Sequence, residues 1–121
     1  QELGVAVGPS FDQATLRRVD LVRVASDRLL MVLTLDRGAI RTIFVEVPVE
    51  IAEEAVQEVS RVLSDRLGGL TLHQIRQTLP ERLRDVAPAQ GDAGSLLNIF
   101  VAGGGQLFET AAAADDGHVV L

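Results

Sequence analysis

The hydrophobic pattern of this chain changes period once, near residue 48. Before that point apolar residues come in short runs or alternate with polar ones; after it they recur every three or four positions. The run Leu3–Val7, "LGVAV", is closed by Gly8-Pro9-Ser10 and predicts a strand. Val19–Ala25 mixes Val and Leu with polar residues and predicts another, turned by Ser26-Asp27-Arg28. Leu29–Leu35, "LLMVLTL", is apolar apart from Thr34, which predicts a central strand covered on both faces. Asp36-Arg37-Gly38 supplies hairpin chemistry, with Gly38 free to take positive φ. Ala39–Val47 alternates, with Ile43, Val45 and Val47 on one face and Thr42, Phe44 and Glu46 on the other, until Pro48 ends it. The economical reading is a β-meander.

From Ile51 to Leu67 the apolar positions Ala52, Ala55, Val56, Val59, Val62, Leu63 and Leu67 form the stripe of an amphipathic helix. Glu50, Glu53 and Glu54 crowd its start and Arg61 and Arg66 its end, as the helix dipole favours. Gly68-Gly69 then stops it.

The next residues, Gly68-Gly69-Leu70-Thr71-Leu72, allow two readings. A helix N-terminus after glycines can aim its N–H groups at an anion. Alternatively, Thr71 and Gln74 make a capping box, with Leu70 and Ile75 as its hydrophobic staple. The second reading uses every residue in the stretch, whereas the first leaves Leu70, Gln74 and Ile75 without a part.

The helix so begun carries Leu72, Ile75, Leu79, Leu83 and Val86 at near-heptad spacing. Such a narrow stripe suits a helical partner. It makes Leu72, Ile75, Leu79 and Leu83 candidates for a two-fold dimer interface; the alternative is that they pack on the chain's own sheet. Pro80 kinks or restarts this helix, and Thr78 with Glu81 repeats the cap pattern around it. Residues 87–94 read as a loop, after which Ser95 caps a third helix with Leu97, Val101 and Phe108 on one face. Gly103–Gly105 are a weak or interrupted point in that helix. Residues 111–117 read as a small-residue, acidic loop, and 118–121 as the start of a strand.

The fold class is therefore α+β: an antiparallel β-meander packed against about three α-helices. Residues 1–121 form a single unit, mainly β over 1–48, mainly helical over 49–110, with a strand beginning at 118.

Composition narrows the function. The 121 residues are 47% hydrophobic and 23% charged, which is globular, but only four are aromatic, all Phe. That is too few for a base-stacking platform. The net charge of −6 argues against this segment tracking a phosphate backbone. The absence of Cys removes disulfides and thiolate metal sites and suits a reducing cytoplasm. No apolar run reaches membrane-spanning length, so no membrane partner is expected. The chain begins at Gln1 and is expected to be part of something larger.

Candidate chemistry is sparse, and neither a cofactor nor a metal is expected. Gly103-Gly104-Gly105 after an apolar run superficially resembles a dinucleotide turn, but no third glycine follows in register for G-x-G-x-x-G, and no Lys-Ser/Thr pair makes a P-loop. His73 and His118 lie in different contexts, neither with a carboxylate at a diagnostic spacing. Glu53-Glu54 and Asp115-Asp116 read as a solvated helix start and a loop. Ser10, Ser26, Ser60, Ser64 and Ser95 sit in no nucleophile-elbow pattern. An enzyme is not expected. A ligand sensor would need polar groups converging inside an apolar pocket, and only Thr34 and Thr42 are candidates.

The order "LGVAVGP", "TLRRVDLVRVASDRLLMVLTLDRGAIRTIFVEVP" and "VLSDRLGGLTLHQIR" resembles the regulatory region of the heat-inducible transcription repressor family, HrcA. Asp36 and Gly38 match the family's hairpin turn. Leu63, Arg66, Leu67, Gly69, Leu70, Thr71 and Leu72 match its helix junction. The resemblance covers about residues 3–86 well and the remainder loosely; Gly103–Gly105 depart from it. It implies a GAF-like domain interrupted by an inserted dimerising domain, preceded by a winged helix–turn–helix that this segment lacks. It further implies a homodimer that binds an inverted-repeat operator upstream of chaperone genes through the winged helix, with a chaperonin keeping it active. The runner-up is a GAF-like module sensing a small ligand.

Overall fold

The hairpin turn forms as its residues dictate, with Arg37 and Gly38 at φ of 61° and 76°. In the computed structural model, which describes residues 11–85, 91–113 and 117–121, this turn joins two long strands. The strands are β1 (Leu16–Ala25), β2 (Arg28–Leu35) and β3 (Ile40–Glu46), paired antiparallel in chain order. The expected meander is therefore present. Asp36 anchors its turn, since the Asp36 Oδ1 accepts the Thr15 N–H at 3.2 Å and the Asp36 N–H reaches the Thr15 carbonyl.

Three helices follow: α1 (Glu53–Leu67), α2 (Leu72–Leu83) and α3 (Gly91–Ala112). The chain then returns to the sheet as β4 (Gly117–Val120), which pairs parallel with β3. The sheet is thus mixed, in the order β1-β2-β3-β4, and the class is α+β. The parallel return follows from geometry: the helical crossover carries the chain back to the end at which β3 began. The strand expected at Leu3–Val7, the fifth stripe position Val86 and the pair Asp115-Asp116 lie outside the described residues.

All three helices lie on one side of the sheet. α1 packs on β1, α3 packs on β3 and β4, and α2 packs mainly on α3. Between them runs a single hydrophobic core, from Leu16, Met31 and Ile43 on the sheet to Leu63, Ile75, Phe100 and Phe108 on the helices.

Several local expectations need correction. β1 begins at Leu16 rather than Val19, because the Leu16 N–H bonds the Leu70 carbonyl at 2.8 Å and Leu16 pairs with Leu35. β2 is not covered on both faces among the described residues: its side chains alternate buried and half-buried, as on a one-sided sheet. α2 neither restarts nor breaks at Pro80. Thr78 makes no cap there; its hydroxyl donates back to the Gln74 carbonyl at 2.7 Å. α3 begins at Gly91, four residues before Ser95, and runs without interruption through Gly103–Gly105 to Ala112.

Candidate functional site

The joint between α1 and α2 was the first place where the sequence offered a ligand site. Gly68 ends α1 in an extended conformation, and Gly69, at φ 91°, is the residue that needs positive φ. The chain then runs antiparallel to the segment leading into β1, through an isolated bridge between Thr15 and Thr71. The Gly69 N–H bonds the Leu16 carbonyl, the Leu72 N–H that of Ala14, and the His73 N–H that of Asp12, at 2.8, 3.1 and 2.9 Å. Thr71 Oγ1 accepts the Gln74 N–H at 3.1 Å, while Gln74 Oε1 accepts the Thr71 N–H at 2.9 Å. Every backbone donor from Thr71 to Gln74 is thereby occupied, and none remains to bind an anion. The stretch is a structural joint that staples the helical layer to the start of the sheet.

The α2 stripe is also internal. Leu72, Ile75, Leu79 and Leu83 are each no more than 1% exposed within the single chain. They therefore offer no surface to a second copy. The helical partner that their spacing requires is α3 of the same molecule, rather than the sheet. The fit depends on Gly104, where an added Cβ would lie 1.8 Å from Leu79 Cδ2. Glycine at this point lets the two helices close together, which is why the triplet continues the helix instead of interrupting it.

The polar candidates are mostly spoken for by structure. The Ser64 hydroxyl accepts the Val19 N–H at 2.9 Å and donates to the Val19 carbonyl at 2.9 Å. Ser60 accepts the Leu21 N–H at 3.3 Å and also donates to the Val19 carbonyl. Two serines of α1 thus satisfy backbone groups along the outer edge of β1. Both histidines have carboxylates in space that sequence spacing did not show. His73 Nδ1 lies 3.3 Å from Asp12, whose carboxylate also takes the Arg76 guanidinium, and His118 Nε2 lies 2.8 Å from Glu46 Oε2. Among the described residues no three His, Cys, Asp or Glu side chains gather as a metal site. Thr34 and Thr42 both lie on the sheet face away from the helices, half-buried and exposed, so they do not converge in an apolar pocket.

Exposed ion pairs tie the helices along their surfaces. Arg66 meets Asp85 at 2.8 Å, and its hydrogen bond holds the Asp85 carboxyl below the usual carboxylate range. Arg61 does the same for Glu58 at 2.6 Å, while the Glu58 carboxylate raises the Arg61 guanidinium.

One buried cation escaped sequence reading. Arg41 points inward from β3 and donates from Nε to the Ala111 carbonyl at 2.9 Å and from Nη2 to the Thr110 carbonyl at 3.3 Å. Its guanidinium stands 5.2 Å over the Phe11 ring, and the Phe11 N–H bonds the Ala112 carbonyl at 2.8 Å. Together they close the C-terminus of α3, where carbonyls and a negative dipole end favour a cation. The signal was parity: Arg41 shares the odd-numbered face of Ile43, Val45 and Val47.

The remaining candidate is the sheet face that no helix covers among the described residues. Its central row runs Val22, Leu30, Phe44, His118 across the four strands. Val22 and Phe44 are 48% and 51% exposed, and Ile40 is 60% exposed. A shallow hollow on this face is lined by Arg28, Phe44, Glu46 and His118. Large apolar side chains sharing one exposed sheet face mark an interaction surface rather than a catalytic cleft.

Residues 1–120 match the family of the HrcA protein C-terminal domain. The heat-inducible transcription repressor HrcA of Chlorobium phaeovibrioides is 35% identical over 109 residues, 90% of this chain and 29% of that protein. Its counterpart in Chlorobaculum parvum is 33% identical over 112 residues, 93% of this chain and 30% of that protein. The chain thus spans about three-tenths of the length of the curated relatives it matches. A solved structure described as a hypothetical protein shares the fold, with a TM-score of 0.55 and 18% identity over 83% of this chain and 28% of that one.

Proposed function

The chain belongs to the HrcA family, and from that premise we propose that it is the regulatory and dimerisation region of a heat-inducible transcription repressor. The observation that carries this reading is the family match along residues 1–120. In the full repressor, a homodimer binds an inverted-repeat operator upstream of chaperone genes through a winged helix–turn–helix outside this segment, because matching two-fold symmetry in protein and operator fixes the half-site spacing. The segment is GAF-like and acts in the cytoplasm, and a chaperonin is the partner that keeps the repressor active. The segment itself is not catalytic. Its acidic charge suits a part that holds two DNA-reading domains together without touching phosphates.

A mixing experiment tests this. Residues 1–121 alone should give no sequence-selective shift of an operator duplex. Added in excess to a full-length repressor carrying the same segment, they should reduce its operator binding by forming heterodimers with only one DNA-reading domain. Selective operator binding by residues 1–121, or full-length binding indifferent to the excess, would refute the reading.

A further inference from the structure

We propose that the uncovered sheet face, centred on Val22, Leu30 and Phe44, is where a second copy of this chain docks, sheet against sheet. The inference rests on the dimerisation reading above and names the surface that serves it.

The helix stripe that sequence spacing offered as one candidate is buried inside the monomer, so an apolar contact between copies must use another surface. β1 is poorly suited to edge pairing, because Ser60 and Ser64 already occupy backbone groups of Val19 and Leu21 along its outer edge. The open face is different. Its apolar side chains, exposed at Val22 and Phe44 and half-buried at Leu30, sit on three strands held in register by ladder pairing, so they form a preorganised surface.

Charge selects the occupant. The whole chain carries −6, so two copies repel wherever their surfaces are acidic. On this face Arg18 opposes Asp20 at 3.0 Å, and Arg28 pairs in register with Glu46, so its four fixed charges cancel. A neutral, apolar face on an acidic chain is the place where like molecules meet at least electrostatic cost. A strongly basic or acidic partner would find little to recognise there.

Area sets the strength. Three full strands and part of a fourth, about 4.8 Å apart and about 3.3 Å per residue, give a flat footprint on the order of 400 Å². With corrugation and rim side chains this falls at the low end of specific interfaces, the range of weak and transient contacts. Packed faces would lie about 10 Å apart, with the Phe44 side chains of both copies in the shared layer.

Sedimentation of the chain from micromolar to millimolar concentration tests the proposal, with Phe44→Glu, Val22→Asp and the control Arg61→Ala on the helical side. The wild type and Arg61→Ala should pass reversibly from monomer to dimer. Phe44→Glu and Val22→Asp should keep the wild-type circular dichroism and cooperative melt while weakening association at least about tenfold. Should Phe44→Glu unfold, Val22→Asp alone decides. A dimer untouched by a folded face variant overturns the assignment of the face and leaves the dimerisation reading standing. A wild type that stays monomeric throughout overturns both, and is also the outcome expected if some other segment covers the face.

Discussion

Thr71 shows how a single residue decides between a ligand site and a structural one. Threonine before an amphipathic run is compatible with either, but its partners are not. Its hydroxyl accepts the Gln74 N–H, and the carbonyls of Ala14 and Asp12 take the N–H groups of Leu72 and His73 in between. Thr71→Ala should therefore destabilise the chain by about 0.5–2 kcal/mol, and Thr71→Asp should be tolerated, since both threonine and aspartate offer a capping oxygen. Chemical denaturation with and without phosphate checks this. Phosphate should leave all three midpoints in place, and a rise confined to the wild type would restore the anion cradle. Capping was readable at this scale because the box is local, spanning four residues. Arg41 was not, because its partners lie about seventy positions away and a charged residue in an alternating strand ordinarily faces water.

At the scale of elements, the period of the apolar residues announced the three strands of the meander and the helices α1 and α2, since each period belongs to one backbone geometry. It misjudged α3 because glycine propensity is weak evidence against tertiary packing. The three glycines differ only in what surrounds them. A Cβ at Gly105 meets nothing within 4 Å; at Gly103 it meets the side chain of Leu121 at 2.5 Å; at Gly104 it meets Leu79 at 1.8 Å. Leu121 is half-buried and has room to turn, whereas Leu79 is fixed in the core. Substitution by alanine should thus rank in that order. Gly105→Ala should stabilise by about 0.5–1 kcal/mol through helix propensity. Gly103→Ala should be near neutral, and Gly104→Ala should destabilise by about 1–3 kcal/mol through overpacking. Thermal melts of the three variants would expose a different ranking, which would mean that α2 and α3 do not close on Gly104.

The whole molecule explains why the stripe that sequence spacing offered to a second copy is buried inside one chain. A heptad-like stripe states that a helix wants a partner and leaves open which one; only the return of α3 across α2 settles that the partner is internal. Conversely, the nearly all-apolar run of β2 predicted cover on both sides, whereas among the described residues only one side has it. The same accounting gives a prediction about salt. Two copies of net charge −6 repel through solvent, over a distance of about 30 Å at 0.01 M ionic strength and about 10 Å at 0.1 M. The docking face itself contributes no net charge, so screening removes repulsion without removing attraction. Self-association should therefore tighten severalfold as sodium chloride rises from low to physiological concentration, measured by sedimentation at fixed pH. An interface built on ion pairs between copies would behave oppositely and loosen, because salt screens exposed attractions as readily as repulsions. Association that weakens with salt would thus move the contact away from Val22, Leu30 and Phe44 and onto the charged surfaces of the helices.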